Sequence, residues 1–385
     1  MRDFWLGDYK GIFLTWSEKN IGSSGATVRS LLQCIAENSD IPIISLMKTR
    51  DPLLPQYKLT NRESFKVDEV SESFYVHVQT GLEEVTDLQD EFYRLSNQAG
   101  SYKAVFVGLP CGVKLVKRRS SDIATIGLFC GGIHKQLALR LFLKRLKIGL
   151  EEITSLKFRI SINKHCPDDQ MHLEALRRKP EYALVVNRHT RNKTKFEKLF
   201  NSFFSGALHC DMCRHCTDMT AEYADVSVGD AWAVGLGRNI CITRSDLGKN
   251  IVDEAVRLGY VSRETLSYER VIESQSSLLI AKKLGLWNWP KTLRKREKAF
   301  DAKARYWALK YSPPFEDVLR RKILREVGRV KGIQLYIPEI DRLLSLFFLQ
   351  TRTLLRIVKR TILTCKMQVL CRITVLFGRG LVRGQ

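Results

Sequence analysis

Three cysteines set two residues apart, Cys210, Cys213 and Cys216, constrain this chain more than any other feature. Each thiol lies within a turn of backbone of the next, so the run can converge on one metal centre. Soft thiolates select zinc, copper(I) or iron–sulfur clusters. The spacing matches the first three positions of the bacterial cluster-binding run, in which a remote cysteine supplies another ligand. Chance clustering is the bland alternative, and a triple at this spacing among 10 cysteines in 385 residues argues against it. The run reads as a loop, inside a stretch, 151–240, that is less regular than the chain before it.

The first 150 residues read as α/β. Residues 12–16, 42–47 and 103–109 are apolar runs of strand length. Between the first two, Val28, Leu31, Leu32 and Ile35 recur at helical spacing over 26–37. A further apolar run covers 123–130, and 136–147 alternates Leu and Phe with Arg and Lys as an amphipathic helix does. A helix after each strand favours parallel strand pairs covered by helices. Strands are expected at 156–162, 182–187 and 224–228, a helical stripe at 195–204, and a helix beginning near Ile251. From Trp287 the pattern is long, basic and helical, broken at Pro313, Pro314 and Pro338. The expected fold class is α/β: a mixed sheet with covering helices, an irregular cysteine-bearing insert and a helical C-terminal extension. Residues 1–150 and 151–285 are expected to form two halves of one body, with 286–385 as the extension.

At 44% hydrophobic, the chain can bury a substantial core. Clustered thiols without a disulfide framework point to a reducing cytosol. Residues 1–8 hold no apolar run of signal-peptide length, and no segment reaches the ~20 apolar residues of a membrane span. A cytoplasmic chain is expected. The formal charge of +22 is uneven: 287–385 carries 23 Lys and Arg against 7 Asp and Glu, which leaves only +6 for the rest.

Several turns stand where strands end. Ser23-Ser24-Gly25 precedes the first helix, whose free backbone N–H groups suit a phosphate. An ordinary N-cap by Ser23 or Ser24 fits the same position. Gly108-Leu109-Pro110-Cys111 follows a buried strand, where glycine and proline let backbone turn tightly against a ligand. Cys130-Gly131-Gly132 follows the next strand in the same way. Ligands of open α/β sheets gather beyond the carboxyl ends of strands, so both thiols are expected at one cleft. Cys130, with Cys111 close behind, is the candidate for the remaining ligand beside Cys210, Cys213 and Cys216. Gly229 and Asp230 are expected to face a cofactor, and Asp225 to support the site structurally. His209 and His215 flank the thiols as possible ligands, though histidines so placed are more often solvated or neighbours of the ligands. Cys34, Cys166, Cys241, Cys365 and Cys371 read as ordinary thiols.

Taken together, these segments resemble the beta-subunit family of the deazaflavin (coenzyme F-420) hydrogenases and dehydrogenases. Ser23-Ser-Gly-Ala26 is similar to its Ser-Ser-Gly-Gly turn, and Gly108-Leu-Pro-Cys111 to its Gly-Leu-Pro-Cys motif. Cys130-Gly-Gly is similar to its Cys-His-Gly segment, and Thr243-Arg-Ser-Asp-Leu-Gly248-Lys to its Thr-x-x-Gly-Lys segment. The stretch Cys213 to Trp232, with Asp218, Asp225 and Val228-Gly-Asp-Ala-Trp232, carries the rest. The resemblance covers about 9–275. It departs at Ala26, Gly112, Gly131 and Ala233, where the family has Gly, Gln, His and Gly. The type resembled is the one without the N-terminal ferredoxin module.

The resemblance implies an oxidoreductase subunit that holds FAD in the 1–150 half against an iron–sulfur cluster, of the 4Fe-4S kind, in the other. Electrons would pass to a two-electron acceptor such as the deazaflavin, or to and from a partner protein. Ser23, Ser24, Gly25, Gly108, Leu109, Pro110, Cys111, Gly131, Gly229 and Asp230 would line the flavin cleft. Relatives of this type also imply a polysaccharide biosynthesis pathway. The alternative from the residues alone is an assembly or binding protein stapled by structural zinc, which favours closed tetrahedral sites.

Along 343–376 apolar residues recur on one helical face, and nine basic residues and no acid follow Asp341. Such a helix can lie on an anionic membrane surface, pack its stripe on the body with the charges solvated, or fill a partner's groove. No finger spacing or helix-turn-helix pattern accompanies the basic tail, so nucleic acid ranks last among partners.

Overall fold

The computed structural model describes residues 3–17, 20, 25–49, 54–70, 102–147, 208–232, 234–235, 237–283, 319–320, 323–324, 326–327, 329, 334 and 337–347. Its strands are β1 (Gly11–Trp16), β2 (Ile43–Met47), β3 (Gln56–Thr60), β4 (Ala104–Gly108), β5 (Ile123–Leu128), β6 (Val226–Asp230), β7 (Asn239–Thr243) and β8 (Ser262–Thr265). The helices are α1 (Ala26–Asn38), α2 (Pro110–Arg119), α3 (Gln136–Leu146), α4 (Asp246–Arg257) and α5 (Tyr268–Lys283). The strands form one 8-stranded sheet in the order β3-β2-β4-β5-β6-β7-β1-β8.

Strands β2, β4, β5 and β6 pair in parallel, as the alternation of strand and helix predicts. β7 pairs antiparallel with both β6 and β1, so β1 runs in the same direction as the parallel set. The sheet therefore crosses both halves of the chain. Parallel strands buried on both faces read as continuous apolar runs, and every residue of β4 is buried. Edge strands read differently. β3 and β8 each present mostly exposed or half-buried polar side chains, which is how sheet edges avoid further pairing.

Side chains alternate between faces along each strand. Val105, Val107, Ala124, Ile126, Val226 and Val228 pack with Leu31, Leu32 and Ile35 of α1 and Val252 and Ala255 of α4. On the opposite face, Ala104, Phe106 and Ile123 meet Val113 and Val116 of α2. Ile12, Leu14, Ile240 and Ile242 meet Ile272, Leu279 and Ile280 of α5. The result is a three-layer body.

Helix α4 begins earlier than the periodicity suggests. Ser245 caps it, its hydroxyl accepting from Gly248 N at 3.0 Å. The first turn, Asp246-Leu-Gly-Lys, is too polar to register as a stripe. The N-cap of α1 also differs from expectation: it is Gly25, at φ 78°, with no side-chain cap. The strands expected at 156–162 and 182–187 and the helix at 195–204 lie outside the described residues, as do Ser23, Ser24, Cys166, Ala233, Cys365 and Cys371. Of the C-terminal extension, 337–347 is helical, and Glu339 pairs with Arg145 of α3. No helix among the described residues is long and apolar enough to cross a membrane.

Candidate cofactor site

Because β1, β4, β5 and β6 share a direction, the segments that follow them leave the sheet at one end. Gly25, Leu109–Cys111, Cys130–Gly132 and the 231–238 connection all start there. In β4–α2 the chain does not make a free turn. Leu109 is the extended N-cap, Pro110 takes the first helical position where its missing N–H costs nothing, and Cys111 follows it in the first turn. Gly108 ends the strand beneath the ring of Phe106.

The segment after β5 receives the cysteine loop. His134 and His209 form an antiparallel bridge, with Cys210 N donating to Ile133 O at 2.9 Å and Lys135 N to Leu208 O at 2.8 Å. Cys130 N donates to Met219 O at 2.8 Å. A 3-10 turn over Asp211–Arg214 then brings Cys213 under Ile133, whose N–H points at the Cys213 sulfur at 3.5 Å. Residues 80 apart in sequence are thus laid against each other. His209 is buried with its ring 4.3 Å from that of His134. The His209 ring packs beside Gly132, whose φ of +122° suits glycine alone.

Five thiols share this place. Cys111 is pushed up to about 11 by desolvation, then by Cys130, Cys213 and Cys216. Cys111 is nevertheless an exposed residue. Burial raises Cys130, with Lys282 opposing and Cys213 adding to it. The Cys213 thiol donates to Cys210, which raises Cys213 and lowers Cys210. Among the described residues, no group of three or more His, Cys, Asp and Glu side chains is arranged to hold a metal ion. The sulfurs gather without closing round one point.

Lys282, near the end of α5, carries no mark in the sequence. It is 2% exposed, and its ammonium donates to Asp218 O at 2.9 Å and to Cys216 Sγ at 3.5 Å. Burial pulls its ammonium down, while the nearby Cys130, Cys216 and Cys213 raise it, and the net direction is up. The only local signal is a Lys282-Lys283 pair closing an apolar helical stretch, which looks like a solvated helix end.

The flavin-side residues are less enclosed. Among the described residues nothing stands within 4 Å of where a Gly25 side chain would begin. Thr27 N donates to Asn239 Oδ1 at 3.2 Å. Gly229 has another reason to be glycine: a Cβ there would sit 2.1 Å from the Phe129 ring. Gly131 lies against Leu278 of α5, where a Cβ would come within 3.1 Å, so the histidine of the resembled motif would need Leu278 to give way. Asp230 ends β6 opposite Asn239, its carbonyl accepting from Gln275 Nε2 at 2.6 Å.

Two buried polar networks hold these segments. Asp225 accepts from Thr125 N at 2.8 Å, Thr125 Oγ1 at 2.9 Å and Ser245 Oγ at 2.7 Å, and pairs with Lys117 at 2.7 Å. It joins β5, β6, α2 and the cap of α4, the structural part expected of it. Arg244 donates to Leu6 O, Asp8 O, Ser227 Oγ, Thr220 O and Thr220 Oγ1 over 2.6–3.1 Å. It ties the N-terminal segment and the end of the cysteine loop to the sheet.

Residues 102–268 match the model of a protein family described as the C terminus of the coenzyme F420 hydrogenase/dehydrogenase beta subunit. The matched stretch takes in β4–α2, Cys130, the cysteine loop and the Asp225 network. Among solved structures, a chain of the F420-reducing NiFe hydrogenase complex from Methanosarcina barkeri, studied as a xenon derivative, aligns at TM-score 0.53. The alignment covers 78% of this chain and 96% of that one at 15% identity, a likeness of fold. No curated protein sequence matches the chain significantly.

Proposed function

We propose that the chain is a flavin- and iron–sulfur-dependent oxidoreductase subunit, passing electrons between a cluster and FAD to a two-electron acceptor. The observation that carries this reading is the meeting of Cys111, Cys130, Cys210, Cys213 and Cys216 at the carboxyl end of the parallel strands, with a buried ammonium beside them. Cys210, Cys213 and Cys216 would hold the cluster, with Cys130 as the remaining ligand and Cys111 the other candidate. A cluster takes each thiolate on its own iron, whereas structural zinc draws its ligands into one closed tetrahedron.

Gly25, with Ser23 and Ser24 before it, would bind the FAD pyrophosphate at the start of α1. Gly108–Cys111, Gly131, Gly229 and Asp230 would border the cleft between. Four strand spacings separate β4 from β1, about 19 Å at ~4.8 Å each, a span suited to an extended dinucleotide laid across strand ends. A bound flavin exchanges electron pairs and a cluster exchanges single electrons, so the two together join one-electron to two-electron partners. The protein's part is to fix both groups on rigid strand ends. A deazaflavin coenzyme or a partner redox protein fits the acceptor and donor roles. A place in polysaccharide biosynthesis extends the reading, and neighbouring glycosyl- or pyruvyltransferase genes test that extension.

Anaerobically purified protein should be brown, with flavin bands and matched iron and sulfide. Cys213→Ser should lose iron, sulfide and the paramagnetic signal while remaining folded. A colourless protein carrying one zinc, or unchanged iron and sulfide in Cys213→Ser, overturns the reading.

A further inference from the structure

The two lysines that end α5 are both buried, yet they are treated differently. Lys283 forms an ion pair with Glu222 and lies 5.8 Å from the centre of the Phe4 ring. That is an ordinary compensation for a buried charge. Lys282, about 100° further round the helix, points the other way, to the cysteine loop. Its hydrogen-bond partners are the Asp218 carbonyl and the Cys216 sulfur. Among the described residues no carboxylate comes within ion-pair reach of it. A buried ammonium held by one carbonyl and a thiol is poorly compensated, because a neutral thiol is a weak acceptor. The balance changes if the sulfurs around it carry negative charge. Cys130, Cys213 and Cys216 all act on it electrostatically.

We infer that Lys282 is a positioning residue whose fixed positive charge sets the reduction potential of a cluster held by the neighbouring thiolates. The inference rests on the cluster reading above. A thiolate-held cluster is an anion before it accepts an electron and a stronger one afterwards. A nearby cation therefore stabilises the reduced form more than the oxidised form and raises the potential. Charge and hydrogen bonds to sulfur are among the levers that tune such centres, and a buried site screens them little. The helix holds the charge in place: Leu279 and Ile280 of α5 are fully buried in the core, and Leu278 lies against Gly131 beside Cys130. The lysine's job is thus separate from ligation.

The test is the cluster's midpoint potential in full-length protein, read by dithionite titration with paramagnetic resonance. Lys282→Met should lower the potential by at least a tenfold change in the reduction equilibrium, about 59 mV for a one-electron couple. Lys282→Gln, which is neutral but can still donate to the Asp218 carbonyl, should show the same fall and guards against a misfolded Met variant. Lys282→Arg should stay close to wild type. Iron and sulfide content should be unchanged in all three, because no ligand is removed. A normally loaded neutral variant with an unshifted potential overturns the inference and leaves the cluster reading standing. Wild-type protein without iron and sulfide overturns the cluster reading, and the inference with it.

Discussion

Replacing Asp225 by Ala removes the carboxylate on which β5, β6, α2 and the α4 cap all converge. The residue is 6% exposed, and the substitution strands three groups at once. The Thr125 N–H, buried in the sheet, loses its side-chain acceptor, a loss worth about 1–3 kcal/mol. Lys117 loses its ion pair; breaking a buried pair costs roughly 3–5 kcal/mol. Lys117 is 22% exposed, however, so its ammonium can reach water and recover part of that. Ser245 keeps its contact with Gly248 N but loses its tie to the sheet. These effects share atoms and do not add, so the expected total is about 3–5 kcal/mol, or a Tm lower by roughly 10 °C for a body of this size. Asp225→Asn, whose amide can donate to Ser245 while its oxygen serves Thr125, should cost about half as much. Urea unfolding of the variants, with Lys117→Met and the double variant completing a cycle, measures the ion-pair share directly. If Asp225→Ala lies within about 1 kcal/mol of wild type, the network does not hold the strands as described.

The buried thiols predict a pH dependence. Cys34 is pushed up to about 11 by burial, with Glu254 and Glu37 adding, and Cys241 to about 12 by burial. Both stay protonated in the fold when the unfolded chain ionises near 9, so stability is full below pH 9 and falls as pH rises toward 11. Each should cost up to ~1.4 kcal/mol per pH unit; urea midpoints at about pH 8 and about pH 10.5 measure the fall, and Cys34→Ala should remove its share. Ser24→Asp would set a negative charge against a diphosphate at the start of α1 and should weaken FAD retention tenfold or more, about 1.4 kcal/mol. Full flavin occupancy on dilution of that variant would remove the turn from the cofactor site. Leu343, Leu346 and Phe347 are 66%, 49% and 58% exposed on the 337–347 helix, just ahead of the acid-free basic tail. Full-length protein should sediment with anionic liposomes at low salt, and a chain ending at Ile340 should not; equal sedimentation of both would return this face to the body.

The elements legible in the sequence are those with an apolar rhythm of their own. Val28, Leu31, Leu32 and Ile35 mark α1, and the unbroken runs of β4 and β5 mark strands buried on both faces. Of the strands that escaped notice, β3 and β8 lie at the sheet edges, where polar side chains face solvent and leave no run to read; β7, buried throughout inside the sheet, holds only Ile240-Cys241-Ile242 between Asn239 and Thr243, a run too short to register. The site was legible as chemistry: the triple thiol, Cys111, Cys130 and Asp225 all stood out by residue type and by position at strand ends. Arg244 and Lys282 did not, because a basic side chain looks the same in sequence whether it meets water or a buried carbonyl.

What the sequence determined by itself is therefore local. It includes the period of α1, β4 and β5, the glycine and proline that end β4 and start α2, and a thiol spacing of the kind that suits a metal centre. Tertiary structure decided what depends on distant pairing. The antiparallel β7 lies between β6 and β1 and brings Gly25 to the same end of the sheet as the cysteines. The bridge between His134 and His209 lays Cys130 beside Cys210 and Cys213. The docking of α5 turns Lys282 inward. Such contacts rest on backbone hydrogen bonds and packing between segments far apart in the chain. Those bonds use the same N–H and C=O groups in every residue, so the side-chain pattern that marks a helix or a strand carries no address for its partner.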